Sequence, residues 1–567
     1  MRSFLVRLLA ALSLFGASAV PASAAPRPKL IVAISVDQFA ASVYGRYLDH
    51  YSAGLKRLSS GVAFPVGYQS HSATETCPGH STLLTGDHPS HTGIVANNWF
   101  DRSNGSWPYC ASVPGSADPL DRGPQRLKVT TLGDWLKAAH PRSRVVSISG
   151  KDRAAIMMAG HHADFIAWWM DSTSGKPVSG FRTSAYAAPA GPAIQGILRQ
   201  EDDSIAAAWS KSPPQLWPSD VPAYCQALEK PHRFGDIDVS GAVPPDLAVQ
   251  AAAQPGFMQR SGFLNELHAS PLYDKLVLDF AADMAKRWRL GRGQAPDLLA
   301  ISLSATDYVG HRYGNGGAEM CAQVHALDLS LGTFLARIDR LGVPYMVVLT
   351  ADHGSVDAPE RLREQGIPAQ RVDTTAFLAG LNAHLRQALG LTSNPIAAED
   401  VQDLYIKPAD PALAARVRSE AVDWLRQQPD VDAVFTRDQV AAAVPPPGKS
   451  AADLTVPERM NESFDAERSA DIFVEFRKYT TLGWPRGSSI SVAGHGSPWD
   501  YDRQVPILFW WHGAPAQTSG AAAETVDIAP TLAATIGLPH PAIDGRCLAL
   551  VTACPPLAGG ARGERGR

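Results

Sequence analysis

The chain has 567 residues, of which 45% are hydrophobic and 19% are charged, and its formal net charge is −4. This length can bury the core of one large α/β domain with insertions, or the cores of two to three domains. The slightly acidic balance argues against a general nucleic-acid binder, which would need a basic surface.

The first 24 residues have the three-part pattern of a secretory signal peptide. Arg2 and Arg7 precede an apolar run that ends at Val20, and Ala22-Ser23-Ala24 offers small residues for cleavage. The run is too short to span a bilayer, and no later stretch is long and apolar enough to do so. We therefore expect a soluble periplasmic or secreted protein that is cleaved near Ala24 and has no membrane anchor. Loss of the two arginines would change the formal charge from −4 to −6.

Apolar runs of strand length recur along the chain, and each ends in polar residues. Such runs are typical of strands that are buried on both faces. The predicted strands are Leu30–Val36, Val145–Ser149, Asp297–Ser304, Tyr345–Ala351 and Ser489–Val492. The polar residues that follow them are, in the same order, Asp37, Lys151 to Arg153, Asp307, Asp352 with His353, and His495.

Helical patterns lie between these strands. One of them runs from Met320 to Leu341 and ends at Gly342, as a helix C-cap should. Alternating strands and helices predict an α/β fold with a mainly parallel central sheet flanked by helices. In such sheets ligands bind at the carboxyl ends of the strands, so the polar residues there are candidate site residues.

Two segments do not follow this alternation. Residues from about 160 to 295 are rich in Trp, Pro and Ala, and residues from about 356 to 485 separate the Asp352-His353 pair from His495. We interpret both as inserted cap segments within a single domain that covers residues 25–557. The Gly/Arg-rich residues 558–567 are predicted to form a flexible tail.

The stretch Thr74-Glu75-Thr76-Cys77-Pro78-Gly79-His80-Ser81 leads into a predicted helix. Proline is favoured in a first helical turn, because its missing N–H has no partner there in any case. This arrangement would place the Thr76 hydroxyl beside the positive end of the helix, where an anion or an alkoxide is stabilised. An ordinary N-cap threonine is the alternative interpretation.

The polar strand exits contain residues that suit a metal. Asp307 and His311 are four residues apart, so a helical backbone would let them share one metal ion. Asp352 and His353 are adjacent and could serve two metals, or one metal through a turn. His495 lies between two glycines, which let the backbone approach closely. Mixed Asp and His ligands suit zinc. For Asp307 and His311 alone, a surface or capping pair is the alternative.

Together with Asp37 and Thr76, these motifs resemble the alkaline phosphatase superfamily. The resemblance is to exported monomeric alkaline phosphatases with a threonine nucleophile, and nucleotide pyrophosphatase/phosphodiesterases are close relatives. It runs from Asp37 to His495 with every motif in family order, and it implies a monomer with two zinc ions. It also implies that Thr76, rather than Thr74, forms a covalent phosphothreonine. By similarity, one zinc would be bound by Asp37, Thr76, Asp352 and His353, and the other by Asp307, His311 and His495.

The resemblance also bears on the substrate. Lys151 and Arg153 match the family's Lys-x-Arg pair, and Asn97 matches its phosphate-binding asparagine, with Asn98 as the neighbouring alternative. A monoester dianion gains from such cations and donors, whereas the diesterase branch lacks the pair. We therefore expect hydrolysis of small phosphate monoesters with release of inorganic phosphate, and no nucleic acid as a dedicated partner. A solvated Lys/Arg loop is the alternative for the pair. For the function, the alternatives are a phosphodiesterase or nucleotide pyrophosphatase with the same metals, and a non-catalytic binding protein.

Six cysteines fit an oxidising compartment, and their spacing shows no CxxC metal motif. Cys547 and Cys554 could close a short loop, but the sequence alone does not fix the pairing. Sulfatases use the cysteine of a Cys-x-Pro-x-Arg motif. Cys77-Pro78 lacks that spacing and the arginine, so we do not expect Cys77 to be a nucleophile. It would instead pack or form a disulfide, with Cys110 as a candidate partner.

Overall fold

The computed structural model describes residues 27–118, 120–170, 180–186, 192–246, 261–487, 491–550 and 554. The predicted signal peptide and the predicted C-terminal tail lie outside these residues. The structure therefore neither supports nor contradicts those two predictions.

The strands of the described chain are numbered in chain order. They are β1 Leu30–Val36, β2 Val62–Tyr68, β3 Val145–Ser149, β4 Phe165–Met170, β5 Gly180–Arg182, β6 His232–Phe234, β7 Ile237–Val239, β8 Asp297–Leu303, β9 Tyr345–Thr350, β10 Gln370–Val372, β11 Ile396–Ala397, β12 Asp403–Ile406, β13 Val431–Thr436, β14 Ile472–Phe476, β15 Thr480–Leu482, β16 Gln504–Trp511 and β17 Gln517–Thr518.

Helices alternate with the strands along most of the chain. The α-helices are Ala41–Arg46, Gly54–Ser59, Thr76–Thr85, Pro89–Thr92, Leu132–Ala139, Asp152–Ala159, Pro192–Lys211, Ala223–Gln226, Ser261–His268, Pro271–Arg287, Ala305–Tyr313, Ala318–Asp339, Pro359–Glu364, Thr374–Leu389, Pro411–Leu425, Arg437–Ala442, Val456–Asn461, Asp500–Arg503 and Ile528–Ile536. Short 3-10 helices cover Leu48–His50, Ala451–Asp453 and Thr525–Asp527.

The central sheet has the strand order β17-β2-β16-β9-β1-β8-β3-β4-β5. Its middle strands β9, β1, β8, β3 and β4 are parallel to one another. Among the described strands of this sheet, β16 runs against β9 and β2, and β5 runs against β4. The predicted α/β fold with a mainly parallel central sheet is confirmed.

Strand β1 lies in the middle of the sheet and is buried on both faces. Leu30, Val32, Ile34 and Val36 belong to one hydrophobic cluster, whereas Ile31 and Ala33 belong to another on the opposite face. Successive side chains of a strand point to opposite faces, so a strand with a core on each side is apolar at nearly every position, and Ser35 is the one polar residue of β1. This is why the run was recognisable in the sequence.

A second, antiparallel sheet has the order β11-β12-β14-β13 and lies within the predicted segment 356–485. Its core also includes side chains from the helices Thr374–Leu389 and Pro411–Leu425. The segment predicted from about 160 to 295 is different, because β4 and β5 within it belong to the central sheet. A boundary at residue 160 was therefore wrong. The sequence of β4, Phe-Ile-Ala-Trp-Trp-Met, is itself an apolar run of strand length.

The predicted strand before His495 is not present at the described residues Ser491 and Val492. Ser489 and Ile490 lie outside the described residues. The Val492 amide donates to the His311 carbonyl (2.6 Å), and its carbonyl accepts from Arg371 Nη2 (2.8 Å). These bonds join the segment to a helix and a side chain, so His495 lies in a loop.

Within the described part of the chain, no helix is both long enough and apolar enough to cross a bilayer.

Candidate active site

Thr76 is the first residue of the helix Thr76–Thr85, and Glu75 occupies the N-cap position. The helix therefore begins at the threonine itself, and the buried Thr76 side chain lies in its first turn. Gly79 lets this helix pack against the end of β9, because a Cβ at that position would lie 2.0 Å from the Asp352 carbonyl oxygen. Any larger residue would push Thr76 away from the sheet edge.

Three buried carboxylates meet at the carboxyl edge of the sheet. Asp37 follows β1, Asp352 follows β9, and Asp307 lies on the helix Ala305–Tyr313 that follows β8. They come together because β1 pairs with both β8 and β9 in parallel register. The helical spacing predicted for Asp307 and His311 is also present.

The ammonium group of Lys151 lies between two of these carboxylates. Its Nζ is 2.6 Å from Asp307 Oδ2 and 3.1 Å from Asp37 Oδ2. Burial alone would raise the pKa of both aspartates, but the adjacent ammonium holds each pKa well below its usual range. Burial would likewise lower the pKa of Lys151, and Asp307 and Asp37 raise it instead. All three groups are therefore charged at neutral pH.

His311 and His495 both face Asp307. The Nδ1 atom of His311 lies 2.9 Å from the Ala493 carbonyl, and that of His495 lies 2.7 Å from the Thr74 carbonyl. A carbonyl only accepts, so Nδ1 carries the hydrogen and the Nε2 lone pair of the neutral ring is left free. These Nε2 atoms lie 3.3 Å and 3.5 Å from Asp307 Oδ1.

The rings of His353 and His80 are oriented in the same way as those of His311 and His495, but they face Asp352 and Asp37 instead of Asp307. Nδ1 of His353 contacts the Gly354 carbonyl (3.0 Å), and Nδ1 of His80 contacts the Thr76 carbonyl (2.9 Å). Their Nε2 atoms lie 3.3 Å from Asp352 Oδ2 and 3.3 Å from Asp37 Oδ1, respectively. Burial lowers the pKa of His353 to about 4, which keeps its ring neutral. Burial also opposes the charge of His80, but Asp352 and Asp37 raise its pKa to about 9.

This set of donors fits a divalent metal. An imidazole fixed by a backbone carbonyl through Nδ1, with Nε2 facing carboxylate oxygens, is the usual arrangement of a metal-ligating histidine. Three buried atoms of the site also have no hydrogen-bond partner, namely Asp352 Oδ2, His80 Nε2 and His353 Nε2. Buried polar atoms are rarely left unsatisfied, so their convergence indicates a ligand.

Within the candidate active site, two groups of three side chains have the compactness of a metal site. One contains Asp37, His80 and Asp352, and the other contains Asp307, His353 and His495. His80 was not among the predicted site residues, although its position four residues after Thr76 on a helix places both on the same face. The rings of His353 and His495 are stacked with their centroids 3.7 Å apart. His353 also adjoins the other group, because its Nε2 lies 3.3 Å from Asp352 Oδ2.

Gln38 connects the carboxylates and was also missed in the sequence. Its amide N–H donates to Asp352 Oδ1 (3.0 Å). In the orientation that satisfies both of its side-chain amide atoms, Gln38 donates to Asp307 Oδ1 (2.7 Å). Its φ is +63°, which is a strained conformation for a residue other than glycine.

Arg153 and Asn97 lie at the beginning of the Thr76 helix. Arg153 Nη2 is 3.3 Å from Thr76 Oγ1, and Asn97 Oδ1 accepts from the Cys77 amide (2.9 Å). Asn98 instead donates to Glu399 (2.7 Å), so the geometry favours Asn97 as the asparagine of the site. A guanidinium, a side-chain amide and a helix N-terminus are together suited to a phosphoryl group.

Disulfides join Cys77 to Cys110, Cys225 to Cys321 and Cys547 to Cys554, and none of the described cysteines is free. The first of them supports the site, because the Cys110 amide also donates to the Asn97 carbonyl (2.9 Å). Asn97 is thus held from both ends of one disulfide. The two pairings that the sequence suggested are present.

Residues 31–484 match the family model of the type I phosphodiesterase / nucleotide pyrophosphatase. The chain belongs to this family, within the alkaline phosphatase superfamily. Its relatives in the family include the alkaline phosphatase PhoK of a Sphingomonas species, which is 43% identical over 93% of this chain and 92% of its own length. The alkaline phosphatase PhoD of Zymomonas mobilis is 40% identical over 93% of this chain and 89% of its own length.

Comparison with solved structures supports the same family assignment. Wild-type alkaline phosphatase PafA superposes with a TM-score of 0.79 and 26% identity over 94% of this chain and 100% of that chain. A further PafA structure carries substitutions of a threonine, an asparagine, a lysine and an arginine. Murine ectonucleotide pyrophosphatase / phosphodiesterase 5, with a TM-score of 0.51 and 12% identity, shares the fold.

Proposed function

We propose that this chain is a zinc-dependent alkaline phosphatase that hydrolyses small phosphate monoesters through a phosphothreonine at Thr76. The contact of 3.3 Å between Arg153 Nη2 and Thr76 Oγ1, beside the cluster of aspartates and histidines, is the observation that carries the proposal. Relatives named alkaline phosphatases, at 43% and 40% identity over most of their length, support the phosphatase class.

The metal ligands we propose are those that the resemblance implies. Asp37, Thr76, Asp352 and His353 would hold one zinc ion, and Asp307, His311 and His495 would hold the other. When bound, the two ions supply Lewis acidity, which lowers the pKa of a hydroxyl group and stabilises the charge on a departing oxygen. His80, whose two ring nitrogens face the carboxylates of Asp352 and Asp37, positions those carboxylates.

The chemistry proceeds in two displacements at phosphorus. Thr76 Oγ attacks, the new Oγ–P bond forms and the ester P–O bond breaks, so the alcohol leaves and takes up a proton from solvent. The hydroxyl proton of Thr76 passes to solvent in the same half-reaction. Water then attacks the phosphothreonine, the Oγ–P bond breaks, inorganic phosphate leaves, and Thr76 regains a proton. No side chain is required as a general base.

The side chains around Thr76 account for the preference for monoesters. The guanidinium of Arg153 and the amide of Asn97 would contact the non-bridging oxygens, which carry two charges in a monoester and one in a diester. We propose that Lys151 also contributes, either to the phosphoryl group or through the carboxylates that its Nζ contacts at 2.6 Å and 3.1 Å. In either position, the positive charge of Lys151 offsets the negative charge of the phosphoryl group and of the carboxylates.

A phosphodiesterase or nucleotide pyrophosphatase is the second candidate, because the matching family model bears that name. One assay distinguishes the two candidate functions. It compares the turnover of phenyl phosphate with the turnover of bis-phenyl phosphate under the same conditions. We expect a higher kcat/KM for the monoester. Faster cleavage of the diester would reject our proposal and favour the second candidate.

We also propose that the protein is exported and monomeric. Three disulfides in one chain suit an oxidising compartment outside the cytoplasm, in line with the signal-peptide pattern. Sequencing of the N-terminus of protein purified from the periplasm should give a start near Ala25. Light scattering on the same sample should give the mass of one chain.

A further inference from the structure

A cavity of about 840 Å³ lies at the opposite edge of the central sheet from Thr76. It is formed where β1, β3 and β8 begin, whereas the candidate active site lies where the strands end. Its walls come from three separate stretches of chain, residues 27–29, 139–144 and 289–297, together with Ile536. A cavity of this size is typical of a site for a ligand of several hundred daltons.

Cationic side chains dominate its lining. The six Arg and Lys residues are Arg27, Lys29, Arg142, Arg144, Arg289 and Arg292. Among the described residues, none of the six forms an ion pair with a carboxylate. Asp297 is the one carboxylate in the lining, and its two oxygens accept from the amides of Arg144 (2.7 Å) and Gly291 (2.8 Å).

This concentration of positive charge contrasts with the chain as a whole, whose formal net charge is −4. Unpaired cations that line one cavity repel one another, and a polyanion that enters the cavity relieves this repulsion. We refer to the cavity lined by these six side chains as the basic cavity.

Two of the six cations are anchored by neutral groups. Lys29 Nζ donates to the Gln294 carbonyl (2.5 Å), and Arg292 Nη2 donates to the Leu341 carbonyl (2.6 Å). A carbonyl fixes the position of a cation without neutralising its charge. The basic cavity is therefore partly ordered before any ligand binds, which lowers the entropic cost of binding.

Arg289 occupies a position where glycine is the usual residue. The helix Pro271–Arg287 ends in a Schellman motif, in which the Leu290 amide donates to the Ala285 carbonyl (3.0 Å) and the Arg289 amide donates to the Lys286 carbonyl (3.1 Å). Arg289 is the left-handed residue of this motif, with φ +52°. An arginine is strained in this conformation, so a ligand that uses its side chain gives a reason for its presence.

We propose that the basic cavity binds a soluble chain of phosphate groups, of which inorganic polyphosphate is the simplest form. Five of the six cations are arginines, whose planar guanidinium groups bind phosphate oxygens in a bidentate manner. A single phosphate would neutralise two of the six charges, whereas a short chain of phosphates can contact arginines from all three stretches. This proposal uses none of the residues of the candidate active site and is independent of the proposed function.

The test is calorimetric titration of the full-length mature protein with short-chain polyphosphate of defined length. The variant Arg289→Gln/Arg292→Gln should bind at least about tenfold more weakly, because two charge-assisted contacts are lost. Its kcat/KM for phenyl phosphate should stay within about twofold of wild type, since the two sites share no residues. Affinity should also fall steeply with salt.

Matched variants separate this site from the active site and from general charge. Lys407→Gln/Arg416→Gln removes two exposed cations on the smaller, antiparallel-sheet part of the chain and should bind as wild type does. Lys151→Ala/Arg153→Ala should retain binding in the basic cavity. If Arg289→Gln/Arg292→Gln fails to fold, Arg142→Gln/Arg144→Gln tests the same cavity from another stretch.

Three results would overturn the proposal. The first is an affinity that is equal in wild type and in both cavity variants. The second is a loss of binding in Lys151→Ala/Arg153→Ala alone, which would locate the ligand in the active site. The third is binding to phosphatidylglycerol vesicles without binding to polyphosphate, which would make the cavity a contact for a lipid surface.

Discussion

Arg153 Nη2 lies 3.3 Å from Thr76 Oγ1, so a guanidinium faces the oxygen that we propose as the nucleophile. Burial alone would lower the pKa of Arg153, but the neighbouring Tyr109, Tyr308 and Asp152 raise it. The charge is therefore permanent, and it is placed where negative charge develops during attack on phosphorus.

Substitution of Arg153 tests this arrangement. We expect Arg153→Gln to reduce kcat/KM for phenyl phosphate by about 10²-fold, because one charged donor to the phosphoryl oxygens is lost. The reduction for bis-phenyl phosphate should be smaller, since a diester has one negative charge less. Arg416→Gln, on the exposed face of the helix Pro411–Leu425, is the matched control and should leave both activities unchanged.

Thr76 itself can be tested by removal and by conservative replacement. Thr76→Ala should reduce phosphate release by at least about 10³-fold, because no covalent intermediate can form. Thr76→Ser keeps the hydroxyl and should retain measurable turnover. Rapid acid quenching during turnover, followed by mass spectrometry, should find the phosphate on residue 76 of the wild type. Normal activity in Thr76→Ala would contradict the mechanism.

The sequence was most informative for strands that are buried on both faces, because burial restricts the residue types along the whole strand. Leu30–Val36 and Val145–Ser149 were predicted with the bounds that the structure has, because each is buried at every position and therefore mostly apolar. The residues after these strands were predictable for a related reason, since parallel strands bring their carboxyl ends to one edge.

Two features of the site were not predicted correctly from the sequence, and each has a local cause. His80 was overlooked because a histidine within a helix has no pattern of its own, and its value depends on Asp37 and Asp352 from distant parts of the chain. The predicted strand at Ser491 and Val492 was wrong because the backbone bonds of Val492 go to His311 and Arg371, which no local sequence pattern encodes.

Metal removal should reduce both activity and stability. Without a metal, the buried Asp37, Asp307 and Asp352 are compensated only in part by Lys151 and the histidines. We expect exhaustive chelation to abolish turnover and to lower Tm by at least about 5 °C, and added zinc to restore both. Elemental analysis of the purified protein should give two zinc ions per chain. Full activity after chelation would exclude a metal-dependent mechanism.

The disulfide between Cys77 and Cys110 should matter for activity as well as for stability. It spans 33 residues and holds Asn97 at the helix N-terminus. The double variant Cys77→Ala/Cys110→Ala should lose about 3 kcal/mol of stability, and its KM for phenyl phosphate should rise. The control is Cys547→Ala/Cys554→Ala, which opens a link of 7 residues. An equal loss of activity in both variants would show that the first disulfide has no specific role.

His88 should make stability dependent on pH. Its ring faces Glu462 (3.0 Å) and Glu524 (3.8 Å), and Asp544 and Asp87 lie nearby. Burial alone would lower the pKa of His88, but these carboxylates raise it to about 9. The folded pKa is higher than the ordinary value, so the stabilisation is complete below about pH 6.5 and is lost as the pH rises through 9.

The measurement is the difference in Tm between wild type and His88→Gln at several pH values. The wild type should be more stable near pH 7, and its advantage should shrink by pH 10. Burial raises the pKa of Glu524 to about 7, so its own titration also lowers the stability as the pH rises toward 7 and overlaps there with that of His88. Between pH 7 and pH 10, the change in the Tm difference therefore reports the titration of His88. A difference in Tm that does not change with pH would contradict the assignment.

The site residues span the chain from Asp37 to His495, and the His495 ring is fixed by the carbonyl of Thr74. A polypeptide that is still being synthesised has no complete site until residue 495 has been made and has folded back onto the loop before Thr76. Under the proposed mechanism, we therefore expect the chain to be inactive during its synthesis. Every truncated product that ends before His495 lacks one of the proposed metal ligands, so we expect such fragments to have no phosphatase activity.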